Sequence, residues 1–429
     1  MSWKKFKNLK SIFSSLYSRN YRIYFVGQGI SLIGTWMQQI ALSWLVYRLT
    51  GSVFLLGLIG FTSQIPVFIL SPFTGVITDR FNRLSIMKLS QWFFMIHALI
   101  MAMLVLLNLI EVWHIIALSV VFGVVSAFDA PARQSLVIDL IDNPNDLGNA
   151  IALNSAIFNG ARLIGPAIAG ITIAIVGEGI CFLINTISYI AVIIALQYIK
   201  IEKKQIKTEQ SKFFKSFTEG FKYTFQSLPI KTLIILLAIL SLVGLPYIIL
   251  LPAYAKEILH GESDTLGYLM SSMGAGALIA ALYMASRKSV VGLGKIISVN
   301  IILLGLGITM AAFSKQLYLS SFVFFLTGLA MIFTLSSVNT LLQTITTEDK
   351  RGRVMSFYSM ALMGIYPLGN LLVGSVASGI GIPSTLLIMG FITILSGFLF
   401  SKVIYSLRED IHHIYRNKGL IPGISDDLN

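Results

Sequence analysis

Apolar stretches of about 18 residues or more recur along the whole chain, separated by short polar segments that hold most of its charges. A helix rises about 1.5 Å per residue, so each stretch is long enough to cross a hydrocarbon layer about 30 Å thick. The stretches lie at 23–47, 53–77, 84–107, 113–131, 148–176 and 179–199, then at 231–254, 264–286, 295–313, 317–343, 354–380 and 383–406. Lipid offers the backbone no hydrogen-bond partners, so a spanning segment must satisfy its own amides as a helix. The pattern therefore predicts an all-α membrane protein with twelve transmembrane helices. Residues 200–230 break it: basic at first, they then place Phe214, Phe217, Phe221 and Phe225 at helical spacing, with Lys215 and Lys222 on other faces. That spacing predicts an amphipathic helix at the membrane surface. A tether that merely joins its neighbours is the alternative.

The two sets of six resemble each other. A shift of 204 positions carries Gly148, Gly160, Gly165 and Gly170 onto Gly352, Gly364, Gly369 and Gly374, and Ser155 onto Ser359. A shift of 210 carries Ser31 and Gly34 onto Ser241 and Gly244, and Leu56 and Gly57 onto Leu266 and Gly267. Two six-helix repeats are expected, as in transporters built from parallel halves.

Charge then sets the expected orientation. With the N-terminus in the cytoplasm, 28 of the 32 Lys and Arg residues fall on the cytoplasmic side. Arg48, Lys256 and Lys315 fall on the other side, and Arg162 lies within a span. Cytoplasmic loops carry the excess of Lys and Arg, so both termini are expected in the cytoplasm. The expected divisions are an N-terminal six-helix half at 1–199, a cytoplasmic linker with the amphipathic helix at 200–230, a C-terminal six-helix half at 231–407 and a cytoplasmic tail at 408–429. His412 and His413 in the tail are expected in solvent or at the interface.

Composition excludes other classes. Hydrophobic residues make up 55% of the chain and charged residues 12%, about half the charged share of a soluble domain. The net charge of +13 follows the loops rather than one patch, so no nucleic-acid partner is expected. The single Cys181 excludes an internal disulfide and cysteine-based metal sites. Lys4, Lys5, Lys7 and Lys10 precede a polar stretch and a full-length span rather than a short apolar region, so the first helix is expected to act as the insertion signal. No Gly-x-x-x-x-Gly-Lys-Ser/Thr loop is present, which argues against ATP drive. No cluster of His, Glu and Cys has metal-ligand spacing, so no metal or other cofactor is expected, and a membrane-embedded enzyme is the weaker class.

After the second span comes Gly75-Val-Ile-Thr-Asp79-Arg80-Phe-Asn-Arg83. A glycine at the helix end allows close backbone approach, and the acidic and basic groups of one short turn can make charge-assisted contacts. Here the chain resembles the major facilitator superfamily, whose signature loop joins helices 2 and 3. Asn82 stands where that family usually has glycine, and Leu84 where a second basic residue is common. The resemblance implies a conformational switch made of Gly75, Asp79, Arg80 and Arg83, with Asp79 near the start of helix 11. In this reading Arg83 pairs with an acidic group at the end of helix 4, for which Asp129 is the candidate.

In the fifth span, Gly160-Ala-Arg-Leu-Ile-Gly165-Pro166-Ala-Ile-Ala-Gly170 resembles the antiporter motif found mainly in exporters of the superfamily. Small residues permit close helix packing, and the proline bends the helix. Gly160, Gly165 and Gly170 are expected to line a bent surface against helix 8, which offers Gly274 and Gly276; Gly177 is expected to tolerate alanine. Asp129-Ala-Pro131-Ala-Arg133-Gln134, Glu219-Gly220-Phe-Lys-Tyr223 and Arg351-Gly352-Arg353-Val354 look like the enterobactin-exporter-like branch, the transmembrane secretion effectors. That resemblance implies the major facilitator fold. It also implies proton-driven export of siderophores or other amphipathic organic molecules across a bacterial cytoplasmic (inner) membrane. One departure is that residues 113–128 hold no arginine, where drug antiporters of the superfamily often have one.

Ionisable groups inside a membrane are costly and mark sites. Arg162, beside Asn159, His97 and Asp129 are the candidates for substrate binding or ion coupling. Gln28, Ser31, Thr35, Gln38 and Gln39 form a polar stripe on the first helix that is expected to face water or neighbouring helices rather than lipid. Tyr247, Asn339, Tyr366 and Asn370 are the counterparts in the second half. The expected partners are a small-molecule substrate, a proton or other ion gradient and the lipid bilayer, with the chain acting as a monomer. An importer, or a facilitator of lipids or metabolites, is the alternative within the same fold.

Overall fold

The computed structural model describes residues 13–201, 213–287, 289–406 and 415–416, with the side chains of Pro72, Gly75, Val76, Asp79, Arg80, residues 213–217 and Glu219 outside that description. Residues 202–212 of the linker expected at 200–230, and all of the tail expected at 408–429 except 415–416, with His412 and His413, therefore lie outside it.

The described residues are helical, without strands. The first six helices are α1 (Arg19–Thr50), α2 (Val53–Arg80), α3 (Arg83–Leu106), α4 (Val112–Asp139), α5 (Leu147–Val176) and α6 (Glu178–Tyr198). The amphipathic helix α7 (Phe213–Gln226) follows. Then come α8 (Leu228–Ile258), α9 (Ser263–Ser286), α10 (Leu293–Phe313), α11 (Leu317–Ile345), α12 (Glu348–Ile380) and α13 (Ile382–Ser406). Among the described residues, 11 helices are long and apolar enough to cross a membrane: all of these except α1 and α7. Helix α1 is 32 residues long, but its polar stripe makes it less apolar than the rest.

The sequence placed several ends short. It ended the fourth span at 131, whereas α4 continues through Pro131 to Asp139; the charges at Asp129 and Arg133 resemble a helix end but are paired within the helix. Asp129 therefore lies ten residues before the end of α4, about 15 Å along its axis. Helix α2 runs to Arg80, leaving only Phe81 and Asn82 before α3. The Asn82 side chain accepts hydrogen bonds from the Leu84 and Ser85 amides at 2.9 and 3.2 Å. It thereby caps α3 at a position where the family usually has glycine.

The chain divides into two compact units, Met1–Glu209 with Leu251–Gly274, and Gln210–Leu250 with Ala275–Asn429. In the first, α1 packs on α6 and α5, α3 on α6 and α4, and α2 on α4. Small residues permit the closest approaches. A Cβ at Gly34 would stand 2.5 Å from Asn185 Oδ1, and one at Gly27 would stand 2.7 Å from Ala195 Cβ. Tyr21, Tyr24, Met87, Phe94 and Leu136 fill the core of this unit. In the second unit, α10 packs on α13 and α11. Leu233, Leu237, Ile297, Val338 and Leu342 form its core.

Helix α8 is irregular, with π-helical turns at Leu240–Gly244 and Tyr254–Ile258 around a 3-10 segment at Pro246–Leu250. Helix α12 has a π-helical turn at Met360–Gly364 before Pro367. The turns at Leu240–Gly244 and Met360–Gly364 relieve the backbone ahead of Pro246 and Pro367, since a proline removes an amide and clashes with the preceding turn.

Candidate functional site

A buried polar cluster joins α1, α3 and α6 in the first unit. Asn185 Nδ2 donates to Gln38 Oε1 at 2.7 Å, and Gln38 Nε2 lies 3.5 Å from His97 Nδ1. Ser188 Oγ donates to Asn185 Oδ1 at 2.8 Å. The absent side chain of Gly34 lets α6 bring Asn185 and Ser188 this close. His97 also bonds the backbone of Leu118 and lies 5.5 Å from the Phe122 ring. One turn from Gln38, Thr35 Oγ1 lies 3.3 Å from the Tyr189 hydroxyl, and Tyr189 stacks on Phe94 at 5.7 Å. The structure thus brings Gln38 and His97 together, and adds Asn185, Ser188 and Tyr189. Asn185 and Ser188 were not singled out in the sequence; they lie three apart on the sixth helix, which puts them on one face of it. Gln28 on α1 is buried, and its Oε1 has no protein partner among the described residues.

A second cluster lies at the far end of α4. Asp129, 2% exposed, accepts from Gln91 Nε2 at 2.8 Å and pairs with Arg133 at 2.8 Å. A buried carboxyl group leaves costly unmet polar demand unless it has a counter-charge and a hydrogen bond, and this one has both. Arg133 also supplies α4 with an arginine, five residues beyond the 113–128 segment that lacks one. Asp129 does not pair with Arg83. Arg83 Nη1 donates instead to Asp139 Oδ2 at 3.0 Å, because the longer α4 puts Asp139, not Asp129, at its end. Gly75, Asp79 and Arg80, expected to form the switch, lie on the last turns of α2, with side chains outside the description.

Arg162 is buried on α5, its guanidinium 5.5 Å from the centre of the Trp36 ring, and Trp36 meets Phe158 edge-on at 5.7 Å. A guanidinium over an indole face is a cation–π arrangement that keeps the charge in an apolar setting. Asn159 turns back along its own helix to the Ser155 carbonyl at 2.8 Å.

The glycines of α5 do not share one surface. A Cβ at Gly170 would stand 2.9 Å from the Ser263 carbonyl oxygen and 3.0 Å from Gly267 Cα, so this residue packs on α9. A Cβ at Gly165 would stand 2.6 Å from Trp36 Cβ on α1, and Gly160 faces open space. A spacing of five residues turns the helix about 140° past a full turn, which distributes them over different faces. Helix α9 answers with Gly267, whose Cβ would stand 2.9 Å from the Pro166 carbonyl oxygen, and with Gly274, 2.8 Å from the Arg162 carbonyl oxygen. Gly276 packs instead on the Phe325 carbonyl of α11.

In the second unit, Tyr247 donates to Thr327 Oγ1 at 3.3 Å, and Gln343 Nε2 donates to Asn339 Oδ1 at 2.6 Å. Tyr366 is half-buried, and Asn370 is buried with no protein partner for Oδ1 among the described residues. Two stretches read separately in the sequence meet here: a Cβ at Gly220 of α7 would stand 3.0 Å from Arg353 Cβ. Phe221 and Phe225 stack on each other at 4.5 Å and present themselves to Phe357 at 6.1 and 6.3 Å. Among the described residues, no three His, Cys, Asp or Glu side chains converge on a point that could hold a metal.

Helices long enough to span a membrane, packed through small residues around buried polar clusters, define a membrane transporter of the major facilitator type. The chain matches the model of the transmembrane secretion effector family over residues 10–424 and belongs to that family. It is 25% identical over 400 residues to the Staphyloferrin A transporter of Staphylococcus aureus (strain NCTC 8325 / PS 47), covering 92% of this chain and 99% of that one. It is 22% identical to the multidrug efflux pump Tap of Mycolicibacterium fortuitum, covering 86% of this chain and 90% of that one. A bacterial homologue of the iron transporter ferroportin, solved in an inward-facing state, shares the fold with a TM-score of 0.67 at 18% identity, over 90% of this chain and 98% of that one. The family and these relatives are transporters, not enzymes.

Proposed function

We propose that the chain is a secondary active exporter that moves a small amphipathic organic molecule, siderophore or drug-like, out of the cytoplasm by alternating access coupled to a proton gradient. It acts as a monomer with twelve spans, in two six-helix halves at 1–199 and 231–407, with the linker 200–230 and the tail 408–429 in the cytoplasm of a bacterial cell.

The observation that carries export is the seating of Gly170 on Gly267, with Pro166 beside it. The antiporter-type motif is thereby a backbone-to-backbone contact, which only small residues permit. The repeat is supported by matching contacts inside each unit. Gly165 packs on α1, and its counterpart Gly369 packs on α8, with a Cβ 2.6 Å from the Ser241 carbonyl oxygen. Gly34 packs on Asn185 of α6, and its counterpart Gly244 packs on Thr393 of α13, at 3.2 Å from Oγ1.

The residues divide by chemistry. Arg162 keeps its charge at any working pH and can attract an anionic group, but it cannot carry the coupled proton. Asp129, paired with Arg133, and His97, in the α1–α3–α6 cluster, are the ionisable groups placed for ion coupling. Gly75, Asp79, Arg80 and Arg83 set the balance between conformations.

The test is efflux measured in inverted membrane vesicles with radiolabelled siderophores and hydrophobic cations, with and without an imposed proton gradient. Gradient-dependent accumulation that Asp129→Asn abolishes, at normal membrane abundance, is expected. Accumulation indifferent to the gradient would leave a facilitator, and uptake by intact cells would make the chain an importer.

A further inference from the structure

Within the second unit, α10 begins where α13 ends, and Gly294 lets the two come together there: a Cβ at Gly294 would stand 2.8 Å from Ile404 Cγ1. Just beside that contact the helices part to leave a cavity of about 890 Å³. One wall is a face of α10 with Lys295, Val299 and Ile302 at spacings of four and three, and the other is the last turns of α13 with Lys402 and Tyr405. Leu341 of α11 and Tyr415 also line it; the Tyr415 hydroxyl donates to the Val290 carbonyl at 3.3 Å.

Two features of this cavity conflict with a role as mere packing. Its lining is chiefly apolar and partly open, with Val299 53% exposed and Tyr405 77% exposed. Among the described residues, its lining carries two lysines and no carboxylate, and no salt bridge takes up Lys295 or Lys402. An apolar slot with a cationic rim, at the Lys- and Arg-rich end of membrane helices, matches an amphiphile with an anionic head.

We propose that this groove binds an anionic phospholipid, the phosphate held between Lys295 and Lys402 and an acyl chain lying along Val299 and Ile302. Ser298 and Ser401 lie beside the two lysines in the lining and supply hydroxyl donors to the glycerol and phosphate oxygens. A soluble anion would need the lysines but not the apolar wall; a zwitterionic lipid would need the wall but gain little from the lysines. The proposal does not depend on what the exported molecule is.

Native mass spectrometry of the full-length protein in detergent tests it, with dioleoyl phosphatidylglycerol, dioleoyl phosphatidylcholine and inorganic phosphate as probes. The wild-type chain is expected to retain phosphatidylglycerol over phosphatidylcholine and to release none of it to phosphate at millimolar concentration. Each lysine near an anionic headgroup contributes enough that K295A/K402A should bind phosphatidylglycerol roughly thirtyfold more weakly. The control K231A/K350A, in the same unit but away from the groove, should bind as wild type. Should K295A/K402A fail to insert, Val299→Trp, which fills the slot and leaves both charges, should lower retention in the same way. Equal retention of the two lipids, displacement by phosphate, or unchanged binding by the inserted groove variants would overturn the proposal.

Discussion

Arg83 reaches Asp139 across 3.0 Å, tying the short turn after α2 to the end of α4 within one unit. The two side chains are 24% and 18% exposed, so solvent screens the pair only in part. A pair of this kind contributes on the order of 1 kcal/mol, too little to decide folding but enough to shift a balance between two conformations about fivefold. Asp139→Asn and Arg83→Gln should each lower efflux several-fold at unchanged membrane abundance, and the exchanged pair R83D/D139R should recover part of the loss. A double-mutant cycle on transport rate measures the coupling; additive effects would mean the contact is incidental.

The Arg162 guanidinium beside the Trp36 ring gives a second expectation. Cation–π pairing contributes about 0.5–2 kcal/mol. Trp36→Leu should therefore raise the KM for an anionic substrate about two- to thirtyfold, with little change for a cationic one. Arg162→Lys should keep part of the activity, since the charge remains but the planar group that stacks on the indole is lost. Transport kinetics on both substrate types separate the cases: identical losses for anions and cations would reduce Arg162 to a packing residue.

Much of this arrangement was legible in the chain. Long apolar runs separated by charged loops have one solution in lipid, and the small-residue positions Gly34, Gly165 and Gly170 do mark close helix contacts. Gln38 and His97 were also individually visible, because polar groups in apolar runs stand out. Their partners were not. Asn185, Ser188 and Gln91 sit on helices whose rotation relative to α1 and α4 is fixed only by packing, and no local spacing encodes that rotation. The end of α4 was missed for a related reason: Asp129 and Arg133 satisfy each other within the helix, so charges that look like a terminus lie inside it. Asn82 shows the reverse, a departure from the family pattern explained by one local hydrogen-bonded cap.

Orientation is open to labelling, and burial decides which positions serve. Glu178 opens α6, on the side expected to be outer, but is buried in a bond to Arg48 at 2.6 Å, and Gly381 has a φ of +81°, so cysteine at either would disturb what it reports. Gln316, between α10 and α11, and Ser289, between α9 and α10, are exposed. The native Cys181 is buried and should give no background. An impermeant maleimide added to intact cells should label Gln316→Cys and spare Ser289→Cys until the membrane is opened. The opposite pattern would invert the topology drawn from the loop charges.

The glycines of α5 give the sharpest test, because the structure assigns them three different surroundings. Gly170 faces the backbone of α9, with atoms from Ser263, Gly267 and Asp264 within 3.2 Å of a Cβ, and backbone cannot move aside as a flexible side chain would. Gly165 faces Trp36 and the Ile33 carbonyl of α1, whereas Gly160 faces nothing within 4 Å. Overpacking a close helix contact costs about 1–3 kcal/mol. Gly170→Leu should thus force α5 and α9 apart and abolish or uncouple transport while leaving inserted protein, and Gly165→Leu should lower abundance by disturbing α1. Gly160→Ala should be silent in both assays. Gly177 does not serve as a control: space surrounds it, but its φ of +83° is strained for alanine whatever the space, so Gly177→Ala should lower stability by about 1 kcal/mol. Efflux and membrane abundance measured for the four variants separate these outcomes. Wild-type efflux by Gly170→Leu would show that the motif does not work through close contact with α9, and the case for an exporter would lose the observation that carries it.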